Sequence, residues 1–129
     1  MVEIKHIPKT KNVFKQLVDA AVTMHAANVF HRDIKMENVL IETSSKVPRV
    51  WIIDLGNGCL KTSSVYKNFF GTTELAPPEL AARGEYKADP TTVWQLGTVL
   101  YEIVVILNRR NSSCIDKLMQ GSLIPVKNF

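Results

Sequence analysis

The run His31-Arg32-Asp33-Ile34-Lys35-Met36-Glu37-Asn38 does most to limit what this chain can fold into, because it separates two segments of different periodicity. Before it, Phe14, Leu17, Val18, Ala21, Val22 and His25 recur at helical spacing. They predict an amphipathic helix over 10–27 that gives way at Asn28. After it, Val39-Leu40-Ile41 and Val50-Trp51-Ile52-Ile53 flank a polar turn over 42–49 and predict a β-hairpin. The polar run is therefore the connection between a helix and a hairpin.

Beyond Asp54 the pattern is irregular through Gly56, Gly58 and Gly71 until Pro77-Pro78, where a first-turn proline predicts a short helix through Arg83. Asp89-Pro90 reads as an N-cap and first-turn proline opening an apolar helix that ends near Leu107. Ser113-x-x-Asp116 predicts one more short helix, ending at Gly121. The expected fold class is α+β, mainly helical, with a small hairpin. No repeat or linker divides the 129 residues, so 1–9 is a basic lead-in and 10–129 one piece of a domain.

Composition excludes several functions. Four of the lysines (Lys5, Lys9, Lys11 and Lys15) fall in 1–15 against Glu3 alone, so this stub carries +3 of the net +4. No aromatic residue alternates with them before Phe14, and a solvated end rather than a nucleic-acid surface is expected. The most apolar stretch, 93–107, is broken by Gln95, Gly97, Thr98 and Glu102. A membrane span needs about 20 apolar residues, so a buried helix is expected instead. Residues 1–8 lack the apolar core of a signal peptide, so a cytoplasmic or nuclear protein is the default expectation. Cys59 and Cys114 read as two reduced thiols, and Asn111-Ser112-Ser113 as a loop.

Three side chains within 31–38 are spaced for phosphoryl transfer to a hydroxyl. That reaction needs a carboxylate to orient the hydroxyl and accept its proton. It also needs a cation to offset charge on the phosphoryl group, and an oxygen ligand for Mg²⁺. Asp33, Lys35 and Asn38 fill these roles in that order. A polar turn capped by Asp33 is the plainer reading. Against it, His, Arg, Asp, Lys and Asn at these offsets recur by chance at on the order of one position in a few million. A second carboxylate, Asp54, ends the apolar run 50–53. Asp-Leu-Gly alone is a common turn tripeptide, but placed after the hairpin it lets Asp54 and Asn38 offer Mg²⁺ two hard oxygens, with phosphate and water completing the set.

Together with 71–79 (Gly-Thr-Thr-Glu-Leu-Ala-Pro-Pro-Glu) and 93–97 (Val-Trp-Gln-Leu-Gly), these segments resemble the C-terminal lobe of a eukaryotic-type protein kinase, with its HRD loop, DFG triplet and APE motif. Lys35 and Gly71-Thr72 look like the serine/threonine branch. Pro77-Pro78-Glu79, Asn57-Gly58 and the Val-Trp-x-Leu-Gly run without a preceding aspartate are similar to Pim-type kinases. By position the resemblance implies Asp33 as proton acceptor, Lys35 on the γ-phosphate of ATP, and Asn38 and Asp54 on Mg²⁺. Leu40 and Ile53 would line the adenine side of the cleft, His31 and Arg32 would brace the loop, and Thr72 would position the substrate hydroxyl beside Asp33. Residues 54–79 would form the activation segment, where Thr62, Ser63, Ser64 and Thr73 are either phosphosites opposite Arg32 or ordinary loop hydroxyls. The implied partners are protein substrates, basic peptides among them, acted on by a monomer.

The pattern departs from the family in several places. Leu55 replaces a phenylalanine and should keep its packing, while Leu75 replaces a tyrosine on the substrate side. Thr92 stands where an aspartate usually accepts hydrogen bonds from the catalytic-loop backbone, a role a neutral hydroxyl fills more weakly. Nothing in the chain makes the Gly-rich loop or the strand lysine of the nucleotide-binding lobe, and the arginine that pairs with Glu79 in the family falls beyond Phe129. A partial kinase domain is expected, with a non-catalytic binding module as the alternative. A P-loop reading of 56–62 fails because Leu60, not glycine, precedes Lys61.

Overall fold

The computed structural model describes residues 7–62, 64–108 and 124–125. The first helix, α1 (Ile7–Ala26), starts three residues earlier than its periodicity predicts. Val13, Leu17 and Ala21, four apart, all face the core. The helix is followed by Asn28 in a left-handed conformation (φ 59°), which asparagine tolerates better than most residues. The predicted hairpin forms: β2 (Val39–Glu42) pairs antiparallel with β3 (Arg49–Ile52), in the register Val39↔Ile52, Ile41↔Val50 and Glu42↔Arg49. Val39 and Ile41 point into the core, so a one-residue slip would turn both out to water.

Gln16 fixes the hairpin to α1. Its Nε2 donates to the Pro48 carbonyl at 2.6 Å, and its Oε1 accepts the Val50 N–H at 3.0 Å. The second long helix, α3 (Ala88–Asn108), lies on α1 through Leu96, Val99 and Ile103. It is only partly the buried helix the sequence suggested. Leu96 and Val99 are in the core, whereas Val93 and Tyr101 are 68% and 70% exposed. Nor is Asp89 its N-cap: the helix begins at Ala88, and Asp89 pairs instead with His25 at 2.8 Å and Lys61 at 3.0 Å.

Three strands had no sequence signal because they are two residues long. β1 (Val29–Phe30) and β4 (Cys59–Leu60) pair antiparallel, tying the end of α1 to the segment after Asp54. β5 (Ile124–Pro125) adds to β2 on the side away from β3. The short helix after the paired prolines, α2 (Pro78–Arg83), ends as expected, at Gly84 with φ 73°. The helix expected over 113–121, Cys114 and Ser63 lie outside the described residues. Among the described residues no helix is long and apolar enough to cross a membrane.

The core has two parts. One gathers α1, α3 and the hairpin around Ile34 and Met36, so the polar run 31–38 sends its apolar members inward. The other is aromatic: Phe30, Tyr86 and Ala88 are buried, and Tyr66 stacks on Tyr86 at 5.5 Å with Phe30 5.3 Å from Tyr66. Burial pushes the Tyr86 hydroxyl above its ordinary pKa, with Arg32 opposing.

Candidate active site

Residues 31–38 are anchored from inside. His31 is buried, its Nδ1 accepting the Asp33 N–H at 3.1 Å and its Nε2 lying 2.8 Å from the Ile53 carbonyl. Since Nδ1 accepts, the proton sits on Nε2 and is donated to Ile53. The Ile53 N–H in turn donates to the Asn38 carbonyl at 2.8 Å. Both backbone polar groups of Ile53 are thus tied to the loop, which sets the next residue, Asp54, beside Asn38.

Asp33 is 7% exposed. Its Oδ1 accepts the Thr72 N–H and the Thr72 hydroxyl, each at 3.2 Å. Lys35 Nζ donates to Thr72 Oγ1 at 2.6 Å and lies 3.7 Å from Asp33 Oδ2. Asn38 Nδ2 donates to the Asp33 carbonyl at 2.8 Å and reaches Oδ2 only at 3.4 Å. Asp33, Lys35, Asn38 and Thr72 are therefore brought together, with Oδ2 the less occupied oxygen of the carboxylate.

Asn38 and Asp54 suit Mg²⁺. The Asn38 amide turns its nitrogen to Asp33, and among the described residues none donates to its Oδ1. Asp54 is exposed in a left-handed conformation (φ 64°), with Oδ1 accepting the Gly56 N–H at 3.1 Å and the other oxygen open. Two such oxygens leave most positions of an octahedron to phosphate and water, as Mg²⁺ prefers. Among the described residues no cluster of three His, Cys, Asp or Glu offers an all-protein metal cage. Leu40 is half-buried and Ile53 37% exposed.

Arg32 is a brace. Its Nε donates to the Asn57 carbonyl at 2.6 Å, and its guanidinium lies 4.7 Å from the centre of the Phe70 ring. Of the hydroxyls weighed as phosphosites, Thr62 bonds the Tyr66 hydroxyl and Thr73 begins a 3₁₀ turn, Thr73–Leu75. Phe70 is the group stacked on Arg32.

Two expectations need correction, whereas Glu79, expected without its family partner, is half-buried and makes no ion pair with another described residue. Leu55 does not keep a packed position: it is 57% exposed. Thr92 does not serve the catalytic loop even weakly, because its hydroxyl bonds His25 Nε2 at 2.9 Å.

The loop is held instead by Gln95, which the sequence reading noted only as a break in an apolar helix. Gln95 is 1% exposed. Its Oε1 accepts the Ile34 N–H at 3.1 Å and its Nε2 donates to the Arg32 carbonyl at 2.8 Å. Its spacing was the available signal. Gln95 falls four residues after Thr91 and four before Val99, on the stripe of α3 that faces the core.

A model of the protein kinase domain matches residues 3–119. The chain is 38% identical over 94 residues to serine/threonine-protein kinase pim-2 of Danio rerio, covering 73% of this chain and 30% of that protein. It is 35% identical over 115 residues to serine/threonine-protein kinase PSK2 of Saccharomyces cerevisiae, covering 89% of this chain and 10% of that one. Serine/threonine-protein kinase SRK2B of Arabidopsis thaliana is 38% identical over 95 residues, 71% of this chain and 26% of its own length. The chain thus spans less than a third of each of these relatives. On the order of its motifs and on these matches, it belongs to the serine/threonine protein kinase family.

Proposed function

We propose that this chain carries the phosphoryl-transfer residues of a serine/threonine protein kinase, with residues 10–129 forming part of the C-terminal lobe. The observation that carries the reading is the grouping of Asp33, Lys35 and Thr72, in which Thr72 holds one carboxylate oxygen through two bonds and receives Lys35 on its hydroxyl. With Oδ1 so engaged, Oδ2 faces the incoming serine or threonine hydroxyl and takes its proton as the oxygen attacks the γ-phosphorus of ATP and the bond to the β,γ-bridging oxygen breaks, releasing ADP. Lys35 offsets charge on the transferring group, and Thr72 orients the carboxylate. Asn38 and Asp54 would hold Mg²⁺, which would supply charge neutralisation at the phosphate oxygens. Leu40 and Ile53 give the adenine an apolar wall. Pim-type preference for basic peptides, a monomeric state and a cytoplasmic or nuclear site of action belong to the same proposal.

A second reading, a binding module that does not transfer phosphate, has one observation in its favour: none of the 129 residues makes a Gly-rich phosphate loop or a strand-lysine motif. Transfer from Mg-ATP to a serine peptide, measured on this chain and on any longer product of the same gene, separates the two. The kinase reading expects turnover that falls about 10²- to 10⁴-fold in Asp33→Asn. Silence of both products refutes it, and turnover by the 129-residue chain refutes the binding module.

A further inference from the structure

We propose that Gln95 is a positioning residue for Asp33, gripping the two peptide groups on either side of that carboxylate with a single carboxamide. The two peptides flanking Asp33 carry four polar groups, and each is bonded to a side chain. The Asp33 N–H goes to His31 Nδ1, and the Asp33 carbonyl accepts from Asn38. The Arg32 carbonyl and the Ile34 N–H, one on each peptide, both go to Gln95. Arg32 itself sits at φ 69°, a conformation arginine rarely adopts, so its peptide turns back unless something holds it.

Gln95 suits this task chemically. Its target is one acceptor and one donor, and a carboxamide presents the complement of both from one rigid plane. A carboxylate at the position would accept from Ile34 but set oxygen against oxygen at Arg32. A threonine hydroxyl is too short to span two peptides, and Thr92 is already engaged with His25. Residue 95 is 1% exposed, so water cannot substitute. The proposal rests on the kinase reading for its consequence, the aim of Asp33, but its structural content can be measured without turnover.

The test uses Gln95→Leu, which removes both bonds at similar bulk, and Gln95→Glu, which removes only the donor. Amide exchange in Gln95→Leu should accelerate at Ile34 by about tenfold or more while Leu17, in α1, stays unchanged. Unchanged exchange at Ile34 in a folded Gln95→Leu protein overturns the proposal. In Gln95→Glu the Asp33 amide, which shares its peptide with the Arg32 carbonyl, should exchange about tenfold faster than wild type near pH 7. That ratio should shrink toward one as pH falls through the pKa of the introduced carboxyl, which burial raises above the ordinary glutamate value, because protonation restores a donor. Asp33, His31 and Lys35 face the same turn in both proteins, so the ratio is taken at each pH. A ratio that stays flat overturns the proposal, and it decides the matter if Gln95→Leu fails to fold. In any longer product that transfers phosphate, Gln95→Leu should lower kcat with KM for ATP unchanged. Silence of the wild type there refutes the kinase reading and leaves the exchange result standing.

Discussion

Replacing Thr72 by valine keeps the shape of the side chain and deletes a hydroxyl that touches both charged members of the site. Thr72 Oγ1 donates to Asp33 Oδ1 at 3.2 Å and accepts from Lys35 at 2.6 Å, while the backbone N–H bond to Oδ1 survives the change. The shorter bond has a charged donor, and bonds to charged groups contribute about 1.5–3 kcal/mol. Once released, the Lys35 ammonium faces Asp33 Oδ2 at 3.7 Å. At an effective dielectric of about 20 that attraction is roughly 4 kcal/mol, so the lysine closes on the carboxylate. The oxygen that the kinase reading assigns to the substrate proton is then occupied. Loss of about 1.5–3 kcal/mol from the transition state lowers kcat roughly 10- to 150-fold, with KM for ATP unchanged. Thr72→Ser keeps the hydroxyl and should stay within about threefold of wild type. The assay is phosphoryl transfer from Mg-ATP to a serine peptide. Equal rates for valine and threonine, or a serine variant as slow as valine, would refute the bridging role.

Gly71→Ala should dislodge the same contact from the other side. A Cβ there would lie 2.6 Å from the Arg32 carbonyl oxygen and 2.8 Å from Phe69 Cζ, and that carbonyl is pinned by Gln95. Thermal unfolding should show a loss of about 1–3 kcal/mol, and an unchanged melting temperature would count against so tight a fit. Leu17→Ala empties a fully buried position where α1 meets the loop and α3, and urea denaturation should report about 2–5 kcal/mol lost. Lys61 first and His25 second hold the Asp89 carboxyl below its ordinary 3.8. Its contribution is complete above that value and is lost as pH falls through the lowered folded one. Asp89→Asn should therefore lose less stability than wild type on acidification in that range. The difference should be small and fade in salt, because the side chain is 66% exposed.

Helices α1 and α3, the hairpin and α2 were legible because each has a periodicity or a terminal residue with a local cause. The β1–β4 and β2–β5 pairings were not, since two residues carry no period and their partners lie far away in sequence. The grouping of Asp33, Lys35 and Asn38 was legible for a different reason. Asp33, Lys35 and Asn38 lie within six residues, so spacing alone brings them near one another. The brace was misread at Thr92 and missed at Gln95, because which side chain of α3 reaches the loop depends on how the helix is rotated against α1. Rotation is a packing outcome. It places Leu96 and Val99 in the core, and Gln95, beside them, arrives under Arg32.

The same reasoning explains how the chain sustains an unfavourable backbone at its most important turn. Three described non-glycine residues have positive φ: Asn28, Arg32 and Asp54. Asparagine and aspartate accept this conformation at modest cost, and Asp54 offsets it further by bonding the Gly56 N–H. Arginine has no such local remedy, and a strained residue of this kind costs about 1–3 kcal/mol. The compensation for Arg32 comes from elsewhere in the chain: the Asn57 carbonyl on its Nε, the Phe70 ring under its guanidinium, and Gln95 on its carbonyl. The cation–π contact alone contributes about 0.5–2 kcal/mol, comparable to the strain. None of these partners is nearer than 25 residues in sequence. The loop's shape is thus a tertiary property. A peptide holding only 29–60 would keep the Asn57 contact but neither Phe70 nor Gln95, and Arg32 would relax to negative φ, turning the peptide that aims Asp33.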